Sequence, residues 1–258
     1  MAIDMSKMRD RKRALDSRNS GNANGVNFWR PQDGEQVIRI IPTKDGDPFR
    51  DYWFHYNVGT NAGFLSPKKN FGEEDPLDRF VRQLFNEGTD ESRKMAKDLM
   101  AKQRFFASVV VRGEEDRGAM VWGFSKTVYE TLLNLVLNPE YGDITDPDSG
   151  TDLLISYGKP AGQTFPVTKI TPRRRSSPLC SDNIDEAYAA QLLDSVPDMT
   201  KLFERKTSEE VGHMLDEFLS GDEAAESSSK EVRYNDSDTS SKETNTSSVD
   251  QAFEELLG

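Results

Sequence analysis

The sequence predicts a mixed α+β protein that is mainly antiparallel β, with a helical insertion, C-terminal helices and a disordered acidic tail. Three observations lead to this class. Short runs rich in Val, Ile and aromatic residues recur along residues 26–170 and favour strands. Capped, periodic segments between them favour helices. Residues 221–249 nearly lack apolar side chains, so they cannot bury a core and should be disordered.

The strands are predicted in two early segments and two later hairpins. QVIRIIP (36–42) is the first strand, and the segment from Asp47–Pro48 to about Val58 holds the second. RFFASVVVR (104–112) and GAMVWGF (118–124), joined by GEEDRG, form the first hairpin. LLISYGKP (153–160) and FPVTKI (165–170) form the other.

Helices are predicted between and after these strands. Asp75 fits an N-cap and Pro76 the first helical position of a helix ending near Asn86. Ser125 can cap a helix over 126–138. Others are expected at 90–102, 183–195, 199–205 and 208–219, the last ended by Gly221. This order matches an OB-fold core over 26–220 with an insertion at about 72–102. An unrelated antiparallel α+β domain would give the same series.

Charge and composition narrow the class of function. The 258 residues carry a formal net charge of −12 and one cysteine, which excludes an intrachain disulfide. Without a signal peptide or transmembrane stretch, we expect a soluble intracellular protein with no membrane partner. P-loop, GxGxxG, HExxH and GxSxG motifs are absent, so we expect no enzyme.

The segment Tyr52–Phe71 contains six aromatic residues, two lysines and no carboxylate, although the chain is acidic. Aromatic faces stack on bases and lysines neutralise phosphates, a combination suited to single-stranded nucleic acid. The alternative is a hairpin whose aromatics are mostly core, as aromatic side chains often are.

Two further basic–aromatic clusters lie on predicted strands, one around residues 102–126 and one over 157–175. Adjacent Phe105 and Phe106 point to opposite faces of a strand, so we expect one in the core and the other free to stack. About half of the candidate contacts should touch nucleic acid and the rest should be core. The candidates are Arg39, Trp53, Tyr56, Phe64, Lys68, Lys69, Arg104, Phe105, Phe106, Arg112, Trp122, Lys126, Tyr157, Lys159, Phe165, Lys169, Arg173 and Arg174.

An ordered series of segments resembles a known family. EQVIRIIP (35–42), RFFASVVVR, VWGFSKTVYETL, LLISYGK and the C-terminal DQAFEELL occur in the order and spacing of the T-even-type bacteriophage single-stranded DNA-binding proteins, the helix-destabilising proteins of the phage replisome. The resemblance implies sequence-independent binding of single-stranded DNA during phage DNA replication, recombination and repair in the cytoplasm of the infected bacterium.

The resemblance also implies roles for both termini. A basic arm over residues 1–20, with Arg11, Lys12 and Arg13, would drive cooperative self-association along the strand. The family's following Ser/Thr pair is here Ala14–Leu15. The acidic tail over 221–258 would recruit replication and recombination proteins through Phe253, Glu254, Glu255, Leu256 and Leu257.

One departure from the family concerns zinc. Its best-known members hold a structural zinc with one histidine and three cysteines. Here His55 stands at the histidine position, Asp75–Pro76–Leu77–Asp78 replaces CxxC, and Lys68 lies near the remaining cysteine position. Carboxylates at a helix N-terminus are better explained as caps than as soft-metal ligands. We therefore expect no cofactor, and His55 as a satisfied core histidine.

Two rival functions stay open at this point. One is an RNA-binding β-domain, since the same stacking chemistry serves RNA. The other is an interaction scaffold with no nucleic-acid role, which the overall acidity favours.

Overall fold

The computed structural model describes residues 26–59, 63–163, 165–180 and 184–228, with side chains to residue 220. Two compact units are present, and each combines segments far apart in sequence. Within the described residues, the first unit consists of 26–51 and 104–202, and the second of 52–103 and 203–228. The described chain is mixed α and β with mainly antiparallel strand pairing.

Eight strands are found in the described residues: β1 Phe28–Trp29, β2 Gly34–Ile40, β3 Phe49–His55, β4 Phe64–Leu65, β5 Lys102–Val111, β6 Met120–Phe124, β7 Leu153–Gly158 and β8 Val167–Pro172. All six longer strands were predicted from the sequence. The strands β1 and β4 were not, because two residues are too few to show a period-two pattern.

The sheet of the first unit has the strand order β1-β6-β5-β2-β7-β8. Both predicted hairpins are confirmed: β5 pairs with β6, and β7 with β8, each antiparallel. Central strand β2 pairs with β5 on one side and β7 on the other. Only β1 and β6 pair in parallel among the pairs of this sheet order. In the second unit, His55 of β3 pairs with Phe64 of β4.

The described residues form six α-helices: α1 Pro67–Phe71, α2 Pro76–Glu87, α3 Asp90–Leu99, α4 Lys126–Val136, α5 Glu186–Asp194 and α6 Ser208–Ser228, with short 3-10 turns at Glu115–Arg117 and Met199–Lys201. The predicted start of α2 is confirmed. The Asp75 side chain accepts a hydrogen bond from the Asp78 backbone N–H, and Pro76 is the first helical residue. Ser125 occupies the N-cap position of α4, but its side chain makes no capping bond.

Three helix predictions need correction. Short α1 was missed inside the aromatic stretch. The helix expected at 199–205 is a single 3-10 turn over Met199–Lys201. Helix α6 passes through Gly221 and ends at Ser228. An interior glycine costs about 1 kcal/mol relative to alanine, and the good helix formers in DEAAE that follow offset it. The predicted arm and the rest of the tail lie outside the described residues.

The core of the first unit covers both faces of β5. Phe105 packs on one face in a cluster with residues of β2, β6 and α4. Val110 lies on the opposite face and packs with Tyr188 and Leu192 of α5. Because both faces are covered, β5 offers no aromatic surface to solvent along its buried length, Arg104–Val111.

Helices form the core of the second unit. Leu77, Val81 and Leu84 lie at helical spacing on α2 and are buried. They pack with Leu99 of α3 and with Val211 of α6. The last helix therefore packs against the helical insertion, although the two are about a hundred residues apart in sequence. Among the described residues, no helix combines the length and apolar character needed to cross a membrane.

Candidate nucleic-acid interface

The predicted contact residues divide sharply by burial. Six are exposed: Lys69, Lys126, Lys159, Lys169, Arg173 and Arg174. Five are partly buried: Trp53, Lys68, Arg112, Tyr157 and Phe165. Seven are buried in the cores: Arg39, Tyr56, Phe64, Arg104, Phe105, Phe106 and Trp122.

The expectation that one of Phe105 and Phe106 would be free to stack is wrong. Both are buried, at 6% and 0% exposure. Phe105 stacks on Tyr129, with ring centroids 4.0 Å apart. Trp122 meets Trp29 edge to face at 5.5 Å. These rings already have aromatic partners in the core, so the structure leaves them no face for a base.

Two of the predicted basic contacts, Arg39 and Arg112, share one carboxylate. Arg39 Nε donates to Asp152 Oδ1 at 2.8 Å. Arg112 Nε donates to Asp152 Oδ2 at 3.2 Å, and its Nη2 donates to Oδ1 at 3.2 Å. Burial lowers the pKa of the Arg39 guanidinium, and the charge of Asp152 opposes that effect. Arginine nevertheless stays charged in proteins, so the partly buried carboxylate of Asp152 stabilises a permanent cation.

The same guanidinium groups hold the chain that follows β8. Arg39 Nη2 donates to the backbone oxygen of Ser177 at 2.6 Å and to its Oγ at 2.8 Å. Arg112 donates to the carbonyls of Pro178 and Leu179, both at 2.9 Å. We call Arg39, Arg112, Asp152 and Ser177 the Asp152 clip. Its arginines serve as cross-links within the first unit rather than as surface cations.

Gly150 lets the backbone approach the Asp152 clip closely. A Cβ atom there would lie 2.4 Å from the carbonyl oxygen of Asp146 and 2.9 Å from Arg39 Nη1. No real side chain tolerates a contact of 2.4 Å with a backbone oxygen. A glycine is therefore required where the chain turns in beside Arg39.

An accessible basic surface is formed by residues 153–175, which we call the basic hairpin. It contains five cationic residues and no Asp or Glu. All five are exposed: Lys159, Lys169, Arg173, Arg174 and Arg175. In a chain of net charge −12, this segment offers phosphates attraction without a competing carboxylate within it.

The two faces of the basic hairpin differ. Lys169 pairs with Ser156, and its neighbours Val167 and Thr171 are exposed with it on the outer face. Tyr157 pairs with Thr168, on the same face as the buried Ile155. The pleat therefore sends Tyr157 and Lys169 to opposite faces. Phe165 lies partly exposed in the turn between the strands.

In the second unit, Trp53 of the predicted stretch is partly exposed. Lys69 Nζ lies 5.2 Å from the centroid of the indole, within cation–π range. Asn70 holds the backbone of Trp53 on both sides: the Trp53 N–H donates to Asn70 Oδ1 at 2.9 Å, and Asn70 Nδ2 donates to the Trp53 carbonyl at 2.7 Å. We call Trp53 and Lys69 the Trp53 pair. It combines an aromatic residue, whose backbone is fixed by Asn70, with a nearby cation.

A second ring–cation pair in this unit was not among the predicted contacts. The Arg205 guanidinium carbon lies 4.5 Å from the ring centroid of Phe71, which is 40% exposed. Phe71 belongs to the aromatic stretch, but Arg205 is 134 positions further along. No local sequence pattern predicts the Phe71–Arg205 pair, because the contact depends on where α6 and the preceding loop pack.

Two other predicted cations have carboxylate partners. Lys68 Nζ donates to Asp78 Oδ2 at 2.8 Å. Lys126 Nζ lies 3.8 Å from Glu130 on the next turn of α4. Exposed pairs of this kind contribute little to stability, so Lys126 stays available to a phosphate.

His55 is fully buried and has a protein partner at each ring nitrogen. Nδ1 lies 2.8 Å from the carbonyl oxygen of Leu99, and Nε2 lies 3.1 Å from Asp75 Oδ2. Ser66 Oγ donates to the same Asp75 oxygen at 2.6 Å. The interpretation of His55 as a satisfied core histidine is confirmed.

Burial of Asp75 opposes its ionisation. Hydrogen bonds from His55, Ser66 and the Asp78 N–H, with the charge of His55, outweigh burial and hold the pKa of Asp75 below its usual value. Asp75 is thus the anionic centre of a buried hydrogen-bonded cluster.

This donor set does not fit the zinc site that the resemblance implies. Both nitrogens of His55 are directed at oxygen atoms, and Asp78 is bound by Lys68 and Arg82. Cys180, the single cysteine, belongs to the other unit. Within the described ranges, no group of three or more His, Cys, Asp or Glu side chains could hold a metal ion.

The remaining predicted residues cannot be placed on either unit. Arg11, Lys12 and Arg13 for self-association, and Phe253–Leu257 for partner binding, lie outside the described residues.

Comparison with known proteins gives one family. No curated protein matches the chain. A family model described as "gp32 DNA binding protein like" matches residues 32–219, which include the Asp152 clip, the basic hairpin and both ring–cation pairs. This match covers well over half of the sequence. The chain therefore belongs to the gp32-like family of DNA-binding proteins.

Proposed function

We propose that this protein binds single-stranded DNA without reading its sequence. The observation that carries the proposal is the basic hairpin, a segment that contains five exposed cations and no Asp or Glu. Phosphates along a strand would lie against Lys159, Lys169 and the arginines after β8. Neutralising them releases counterions, so affinity should fall steeply as salt rises.

Base stacking supplies the second part of the proposed mechanism. The Trp53 pair, and the second pair formed by Phe71 and Arg205, each join an accessible ring to a cation. A base stacked on such a ring contributes about 1–3 kcal/mol, and every base offers a π-face. Duplex DNA keeps its bases stacked on one another, so these rings would favour single strands.

We expect Trp53 to report binding through its fluorescence. Trp29 and Trp122 are buried at 4% and 1% exposure, so Trp53 is the tryptophan that a base can reach. Titration with poly(dT) at low salt should quench the emission, and high salt should reverse the quenching. Trp53→Phe should remove the quenching and keep most of the affinity, because a ring remains.

The control for that titration is Trp29→Phe, which leaves the Trp53 pair intact and should keep the quenching. Absence of both quenching and binding at low salt would rule out the proposal and leave a scaffold role. Equal affinity for a matched RNA oligomer would instead point to an RNA-binding domain.

We further propose the finer features that the family resemblance implies. These are an OB-fold core, cooperative self-association through the basic arm, and recruitment of phage replication, recombination and repair proteins by the acidic tail. The non-sequential strand order supports the Greek-key path of an OB-fold. Residues 221–258 carry ten Asp/Glu against three Lys/Arg, which supports a tail that competes with DNA for basic surfaces.

Deleting residues 229–258 should tighten binding to a dT oligomer at low salt, because the deletion removes a competing polyanion. The gain should shrink at high salt, where charges are screened. Equilibrium binding of the full-length and shortened chains at two salt concentrations measures the effect. Unchanged affinity at low salt would refute competition by the tail.

We also propose that the second unit is stable without metal. The His55–Asp75 and Lys68–Asp78 pairs occupy the positions where the family resemblance implies ligands. A chelator should leave the melting temperature unchanged, whereas Asp75→Ala should cost about 3–5 kcal/mol, as loss of one partner of a buried pair does. Exposed Asp90→Ala is the control. A melting temperature that falls with chelator and recovers with zinc would contradict metal-free stability.

A further inference from the structure

The loop after β8, residues 173–177, is held by hydrogen bonds at both ends. At its start, the Arg173 N–H donates to the Asp152 carbonyl at 2.9 Å. At its end, the Ser177 N–H donates to the Gly150 carbonyl at 3.0 Å, and Arg39 binds both oxygens of Ser177. Ser177 Oγ in turn donates to Asp152 Oδ2 at 3.2 Å.

Between the hydrogen-bonded residues Arg173 and Ser177 lie Arg174, Arg175 and Ser176, which are all exposed. The exposed arginines thus lie in one short segment with Ser177 of the Asp152 clip. Without these hydrogen bonds, a loop with three consecutive arginines would sample many conformations, because the like charges repel one another and the backbone is free to rotate.

We propose that the Asp152 clip positions Arg174 and Arg175 for phosphate binding, with Ser177 as the positioning residue that joins clip to loop. This inference rests on the proposed single-stranded DNA binding. None of the clip residues needs to touch DNA. Ordering a segment on binding costs free energy, and a segment already held in place avoids most of that cost.

The required test separates positioning from general damage to the fold. Ser177→Ala removes the Oγ that bridges Arg39 and Asp152 and keeps the backbone bonds. In the full-length protein it should weaken binding to a dT oligomer about three- to tenfold, because the Oγ bonds to Arg39 and Asp152 are both lost and loss of a single hydrogen bond can already cause a change of this size. Ser176→Ala, one position earlier and exposed, is the matched control and should bind as the wild type does.

A double-mutant cycle supplies the decisive comparison. The double variant R174A/R175A should itself bind more weakly and with a shallower salt dependence. Adding Ser177→Ala to it should cause no further loss, because the residues that Ser177 positions are gone. Circular dichroism and melting temperature confirm that each variant is folded.

The alternative outcomes are distinct. If Ser177→Ala weakens binding equally in both backgrounds, or not at all in the wild type, the positioning role is wrong. The same holds if R174A/R175A binds as tightly as the wild type. If the wild type does not bind single-stranded DNA, the proposed function itself fails.

A second variant covers the case in which Ser177→Ala does not fold. Arg112→Lys keeps the positive charge beside Asp152 but lacks the fork that donates to the Pro178 and Leu179 carbonyls. It should weaken binding in the wild-type background and have no effect in the R174A/R175A background. Equal weakening in both would overturn the proposal.

Discussion

The carboxylate of Asp152 is the constraint on which the first unit depends. It lies immediately before β7 and accepts hydrogen bonds from Arg39 of β2 and from Arg112, which follows β5. Breaking such a buried pair by removing one partner typically costs about 3–5 kcal/mol, because a charge is left uncompensated. Gly150 gives the backbone the close approach that this cluster requires.

The same constraint divides the cations of an acidic chain into two kinds. Arg39 and Arg112 are used internally, and both form ion pairs with the one carboxylate of Asp152. Lys159, Lys169 and the arginine triplet after β8 are exposed, in a segment without carboxylates. A net charge of −12 is therefore compatible with a DNA-binding family, since attraction depends on local fields rather than on the sum.

Sequence reasoning identified the six longer strands, both hairpins and the capped start of α2, because each has a local pattern. It did not separate stacking rings from core rings: Trp53 and Trp122 look alike in sequence, yet only Trp53 is accessible. That difference depends on what covers each strand face, which is a long-range property. For the same reason Arg39 looked like a surface cation, since its partner Asp152 is 113 positions away.

The central claim is that single-stranded DNA contacts the accessible basic and aromatic residues rather than the aromatic core. Photocrosslinking with an iododeoxyuridine-substituted dT oligomer, followed by mass spectrometry of the adducts, tests this most directly. The account predicts adducts at Trp53 or Phe71 and on the basic hairpin at Tyr157 or Phe165. Adducts confined to peptides outside these segments, with none on the basic hairpin or at either ring–cation pair, would contradict it.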